Sequence, residues 1–491
     1  MALTGRAGLI AALGAIGVLF APRPGYAVLG LLLLLGALVT VDVLFAGGVR
    51  PLRFRRGGER LVRLGESVEV ELIVENPGRR RVKGTLRDAW PPSAGAGPRH
   101  QRLDVPAGER RRLVTTLRPA RRGDRDAVAV TVRSLGPLGI AARQGSHRVP
   151  WTVRVLPPFL SRKHLPAKLS KLRELEGQHP ALVRGQGTEF DSLREYVVGD
   201  DVRSIDWRAT ARRADVVVRT WRPERDRRVL IVLDTGRTAA GRVGVSPIPA
   251  AVEPGPRSGA PAPAAAGSPR PGTSASVAPE RPHVGTSASA APGRHLGTSA
   301  SAAPGWPRLD WSMDAALLLA ALASRAGDRV DFLAHDRTVR AWMSGASRTD
   351  SLAALVNVMA PIEAELVEAD SASMVAAVLS RAKRRCLVVL LTDLNPAAMD
   401  EGLLPVLPQL SSRHLVLVAA VADPRVAEMA AGRGTAELVY DAAAAEHLRG
   451  QRARLTARLR RHGCEVVDAA PDDLAPALAD AYLSLKAAGR L

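Results

Sequence analysis

Val229-Leu230-Ile231-Val232-Leu233-Asp234 is the stretch on which the fold turns. Five consecutive apolar residues closed by a carboxylate suit a strand covered by helices on both faces; a strand with one wet face would alternate instead. Similar runs recur at residues 330–334, 386–391, 414–421 and 464–467. Helical patterns lie between them at 311–325, 351–360, 372–383 and 442–461, and a last one follows at 472–488. Strand alternating with helix predicts a doubly wound, mostly parallel α/β sheet over residues 229–491, with its ligand site at the carboxyl ends of the strands.

One segment interrupts this order. From Gly241 to Pro307 the chain turns to Pro, Ala, Gly and Ser, with three near-copies of Gly-Thr-Ser-Ala-Ser-x-Ala-Pro starting at Gly272, Gly285 and Gly297. Such a composition buries too little apolar area to offset its ordering entropy, so it is expected to be a disordered insertion between the first strand and the first helix.

Upstream, residues 49–157 alternate apolar and polar in short runs such as Ser67-Val68-Glu69-Val70-Glu71-Leu72-Ile73-Val74, separated by turn signals such as Asn76-Pro77-Gly78. Period-two alternation predicts an antiparallel β-sandwich. Residues 1–48 hold two uncharged apolar runs, 7–21 and 25–41, parted by Pro22-Arg23-Pro24. They predict a two-helix transmembrane hairpin, with the first run marginal in length. A cleaved signal peptide competes for that first run, but it leaves the second unexplained. Arg50, Arg53, Arg55, Arg56, Arg60 and Arg63 follow the second run, whereas Arg23 alone sits in the turn. The positive-inside rule then gives a two-pass protein of the cell membrane with the bulk of the chain in the cytoplasm.

Residues 158–228 carry the densest polar pattern. It runs Glu189-Phe190-Asp191-Ser192-Leu193-Arg194-Glu195-Tyr196-Val197-Val198-Gly199-Asp200-Asp201-Val202-Arg203-Ser204-Ile205-Asp206-Trp207 and continues to Arg212. Gly199-Asp200-Asp201 reads as a turn able to cap a helix. Arg194, Arg203 and Arg212 offer bidentate partners for the carboxylates, and Trp207 offers an apolar anchor. The run resembles the signature of the domain-of-unknown-function 58 (DUF58) family, and the likeness continues through Glu224-Arg225-Asp226-Arg227-Arg228 to Asp234 and resumes at Arg308-Leu309-Asp310. With the paired apolar runs and the β-rich spacer it extends over most of the chain, and the insertion is the main departure.

The resemblance implies a von Willebrand factor A-like (vWA-like) domain and a partner, a MoxR-type AAA+ ATPase, for which the chain would act as a membrane-attached adaptor in complex assembly or chaperone-like remodelling. Glu189, Arg194, Tyr196, Asp200, Asp201, Arg203, Asp206 and Trp207 then form either a structural ion-pair network or a partner-binding surface. In vWA domains the first strand ends in D-x-S-x-S, which holds a divalent cation. Here the matching run is Asp234-Thr235-Gly236-Arg237-Thr238. Asp234, Thr238 and, from a later strand end, Asp393 are the candidate metal ligands, with Asp370 and Ser371 as further candidates from an intervening loop. Gly236 lacks an oxygen and Arg237 brings a cation, so the site is expected to be degenerate for Mg²⁺, with Arg237 pairing to Asp234 or Asp393.

Walker A, G-x-S-x-G, HExxH and Rossmann glycine patterns are absent from the sequence, so no cofactor and no enzymatic centre are expected. The enzyme alternative is a metal-dependent phosphodiesterase or nuclease working through Asp200, Asp201 and Asp206. A net charge of +21 invites nucleic acid, but 3% aromatic residues and scattered arginines give bases nothing to stack on or be read by, so nucleic acid is not expected as a partner. Cys386 and Cys464 read as buried core thiols, and His335 with Asp336 as a loop following the second strand.

Overall fold

The structure, a computed structural model, describes residues 2–178, 189–198, 200–212, 215–222, 227–247, 305–345 and 351–491. The C-terminal half is built on a six-stranded sheet: β1 (Arg228–Asp234), β2 (Arg329–His335), β3 (Val339–Met343), β4 (Leu387–Leu391), β5 (Leu415–Val421) and β6 (Glu465–Ala469), in the order β3-β2-β1-β4-β5-β6. All neighbours are parallel except β3, which returns antiparallel on β2 as an edge strand that the apolar-run reading did not include.

The continuous apolar runs have a simple cause. In β1, Val229, Ile231 and Leu233 enter one buried core while Leu230 and Val232 enter the other; β4 and β5 divide in the same way. Full burial of each such side chain contributes roughly 1.5–3 kcal/mol, so both faces reward the same run. On one face pack α1 (Arg308–Arg325) and α7 (Pro471–Ala487), together with the helix Leu165–Gln178 through Leu172. On the other lie α3 (Ser371–Arg381), α4 (Leu404–Ser411) and the end of α6 (Ala436–Arg461). Two further helices are α2 (Ser351–Met359), packed beside α1, and α5 (Pro424–Ala430), beside α6. Cys386 and Cys464 are buried in the second core, and burial pushes both thiols up to about 11.

The insertion begins and ends differently from its composition. Arg242–Val243 pairs antiparallel with Trp306–Pro307, and Trp306 packs edge-on to Trp311. The two stems therefore meet as a buried clip, and α1 starts at Arg308 rather than at Trp311. Residues 248–304 lie outside the described part.

Residues 53–156 form sheets that face one another. Leu72 and Val74 of one pack against Val82, Leu86, Leu103, Val130 and Val132 of its neighbour. Arg56, one of the arginines counted for topology, is spent inside this module: its guanidinium grips Asp88 in two hydrogen bonds of 2.6 and 2.9 Å, both groups buried.

At the N-terminus, Pro24–Phe45 is long and apolar enough to cross a membrane, while the helix Gly5–Leu19 is apolar but shorter. The two touch where Leu31 lies over Gly14, at a distance that leaves no room for a Cβ. Asp42, in the last turn of the longer helix, accepts backbone N–H groups of Leu138, Ile140 and Ala141. Ahead of the shorter helix, Ala2–Leu3 pairs with Ala141–Ala142, and the Thr4 hydroxyl donates to the Gly139 and Ile140 carbonyls. Both helices are thus tied to one loop of the β-rich module.

Candidate functional site

The signature folds as a hairpin. Glu189–Glu195 pairs antiparallel with Val217–Arg222, and Glu189 takes the first position, opposite Arg222. The Tyr196 N–H continues the ladder to the Val216 carbonyl. The carboxylates are consumed in shaping the turn between the strands. Asp200 accepts the Val197 N–H at 3.0 Å and Arg194 at 2.5 Å. Asp201 caps the 3₁₀ turn Val202–Ser204 through the Arg203 N–H. Asp206 caps the short helix Trp207–Thr210 through the Arg208 and Ala209 N–H groups and takes Arg219 on its other oxygen at 2.8 Å. These are local Asp-cap geometries, in which a side-chain oxygen satisfies backbone donors that the helix leaves orphaned.

Arg219 and then the Ala209 N–H hold the Asp206 carboxyl below its usual range, and Asp200 holds Arg194 above its own. An Asp fixed in its ionised form by such donors is ill suited to give up a proton as a general acid. Two expectations are corrected here. Arg219, outside the quoted signature, partners Asp206, whereas Arg203 and Arg212 make no ion pair among the described residues. Trp207 is no internal anchor either: it is 69% exposed, beside Val197 at 61%, Val198 at 94% and Val202 at 62%.

The second candidate site lies where the sheet order reverses, at the carboxyl ends of β1 and β4. Asp234 is buried there and accepts the Gly236 N–H at 2.8 Å and the Thr392 hydroxyl at 2.7 Å. Burial raises its pKa against both hydrogen bonds. Asp393 is held from two directions, by Arg308 at 3.2 Å and Arg452 at 3.1 Å, and Arg452 also grips Asp468 with two nitrogens. Arg237 instead reaches outward to Glu368 at 2.7 Å, so the pairing expected of it belongs to Arg308 and Arg452. Thr238 sits in the 3₁₀ turn Arg237–Ala240. Asp370 caps α3 through the Ser373 N–H, and Ser371 packs beside Gly402.

This donor set does not fit a divalent cation. Each oxygen of Asp393 already faces a guanidinium, and an ion placed between Asp234 and Asp393 would meet Arg308 and Arg452 at close range. Sequence reading missed both arginines because they come from α1 and α6, far from Asp393 along the chain. His335 also differs from expectation. It is the last residue of β2, 1% exposed, with Nε2 3.3 Å from the Ser373 hydroxyl, and it is not a loop residue.

A model of the family described as "Protein of unknown function DUF58" matches residues 192–244 and 306–464. The match runs from the signature hairpin through α6, breaks over the insertion, and is narrower than the likeness read from the sequence, since the apolar helices and the β-rich module fall outside it. Among curated proteins, none matches this chain. Through the hairpin and the sheet that follows it, the chain belongs to the DUF58 family.

Proposed function

We propose that the chain is a membrane-anchored adaptor whose signature hairpin docks a MoxR-type AAA+ ATPase and whose α/β domain is vWA-like. The observation that carries the reading is the division of labour in the hairpin: its carboxylates are spent on its own fold, while Val197, Val198, Val202 and Trp207 stand exposed around the turn. Exposed aromatic and β-branched side chains on a rigid turn are the usual anchors of a protein interface. The strand order and the placement of Asp234 and Asp393 at the switch point support the vWA-like part. For a two-pass anchor with the bulk of the chain cytoplasmic, the support is the shared docking of both apolar helices on the loop 136–141, together with the arginines after the second.

Purification of the full chain from membranes, wild type beside Trp207→Ala with Val198→Ser, tests the docking. Loss of a stoichiometric ATPase from the variant at unchanged Tm is expected. Equal recovery from both removes the hairpin as the docking element. Divalent-metal-dependent hydrolysis of a phosphodiester, lost in Asp206→Asn, would replace the adaptor reading with the enzymatic one.

A further inference from the structure

A cavity of about 610 Å³ opens between α5 and α6 at the carboxyl ends of β5 and β6. The two helices meet where Ala442 and Ala445 are buried and where Leu438 lies against Gly432. Further along α6 the apolar residues face open space: Leu448, Ala453 and Ala457 line one wall, with Val426 and Ala427 opposite. The floor is Arg308, Arg452 and Asp468.

The charges in this cleft are unequally spent. Asp468 gives both oxygens to Arg452, and Asp423 caps α5 through the Arg425 N–H. On the rim, Arg449 meets only the exposed Glu446, three residues before it, and Arg460 makes no ion pair among the described residues. The groups left to meet a ligand are therefore an apolar lining of alanine, valine and leucine side chains, the side chain of Thr456, and two exposed guanidinium groups. The cavity volume falls in the range of small-molecule sites, but the cleft is open along α6, which favours a chain segment over an enclosed ligand. Its concave form disfavours a flat lipid surface, and the net charge of +21 draws acidic partners toward it.

We infer that this cleft binds an acidic amphipathic peptide segment of a partner protein, with apolar side chains between Val426 and Ala453 and carboxylates on Arg449 and Arg460. The site is separate from the signature hairpin and does not depend on the ATPase reading.

The test uses the full chain in nanodiscs of neutral lipid and two fluorescein-labelled model peptides with leucines at helical spacing, one filled with Glu and the other with Lys. Anisotropy should show saturable binding of the Glu peptide that weakens with salt, and none of the Lys peptide. Arg449→Glu with Arg460→Glu should weaken it at least about tenfold, as expected for reversed charges across an interface. Ala453→Trp, which fills the cleft and leaves the charge alone, should do the same, and Trp207→Ala should leave binding unchanged. All four positions are exposed, so Tm should hold in each variant. Equal binding of both peptides, absence of binding, or binding indifferent to both cleft variants would overturn the inference. So would binding of anionic vesicles through Arg449 and Arg460 with no binding of the Glu peptide.

Discussion

The signature hairpin and the carboxyl edge of the sheet are both built from Asp–Arg pairs, yet the pairs do opposite work. In the hairpin, Asp200 finds Arg194 six residues away and Asp206 finds Arg219 thirteen away, with both arginines partly in water. At the sheet edge Asp393 is reached by Arg308 from 85 residues away and by Arg452 from 59, largely out of water. Local, wet pairs shape a loop without tying it to the core, and they are screened. Distant, dry pairs join separate elements and are expensive to break, because the abandoned partner stays buried and charged.

The largest expected effect follows from that difference. Arg452→Ala strips Asp468 of its guanidinium and leaves Asp393 with Arg308 alone, and it should cost about 3 kcal/mol, read as a lower Tm and an earlier denaturant midpoint of the full chain. A cost below about 1 kcal/mol would put the sheet edge on the same footing as the hairpin and dissolve the contrast.

Asp234 sharpens the contrast next. Asp234→Ala leaves the Gly236 N–H and the Thr392 hydroxyl without their acceptor and should cost about 1–3 kcal/mol. Asp234→Asn keeps one acceptor, lets the amide donate to the Thr392 oxygen, removes a disfavoured buried charge, and should stay within about 1 kcal/mol of wild type. Calorimetric titration with Mg²⁺ and Mn²⁺ should give no saturable heat. Micromolar binding lost in Asp234→Ala would reverse the judgement that the donor set does not fit a cation.

How far each region could be read from the sequence follows the same divide. β1, β4 and β5 announce themselves because both faces bury alternate residues of one apolar run, and the clues are contiguous. β3 escaped because Val339-Arg340-Ala341-Trp342-Met343 is an edge strand with exposed and half-buried positions. Asp201 as a cap is visible in outline in the turn Gly199-Asp200-Asp201, since a cap and its N–H partners lie within three residues, whereas the cap made by Asp206 is not singled out by the sequence. The grip of Arg308 and Arg452 on Asp393 was not visible, because it depends on which helix ends converge at the switch point. Trp207 was misjudged for a related reason: spacing along the chain does not say whether an aromatic side chain turns toward a core or toward water.

In the hairpin the expected effects are smaller. Asp206→Ala removes a cap and an ion pair in a wet loop, so its Tm should fall less than that of Arg452→Ala, while limited proteolysis between residues 196 and 216 quickens. Trp207→Ala should leave both readouts unchanged, since its ring is mostly in water. A drop in Tm for Trp207→Ala as large as that for Arg452→Ala would mean that the indole packs into the fold, and its role as an exposed anchor would fall.

The smallest effect is one of pH, and its sign separates the two regions. Burial lowers the pKa of His335 below 6.5, outweighing the Asp336 backbone contact and the nearby carboxylates of Asp336, Asp370 and Asp234. The imidazole is therefore neutral in the fold at a pH where the unfolded chain would protonate it. Stability from this group is complete above pH 6.5 and is lost as pH falls through 6.5 toward the lowered value. Asp234, with its pKa raised, acts in the opposite sense, because stability linked to it is lost as pH rises above the ordinary carboxyl value of 3.8. Asp206, with its pKa lowered, gives up its contribution only below 3.8 and is silent near neutrality. Between about pH 7 and about pH 5.5, Tm should therefore fall with acid. The fall should be shallower in His335→Gln and unchanged in slope in Asp206→Ala. A slope that follows Asp206 instead of His335 would mean that the hairpin, not the sheet edge, carries the titration.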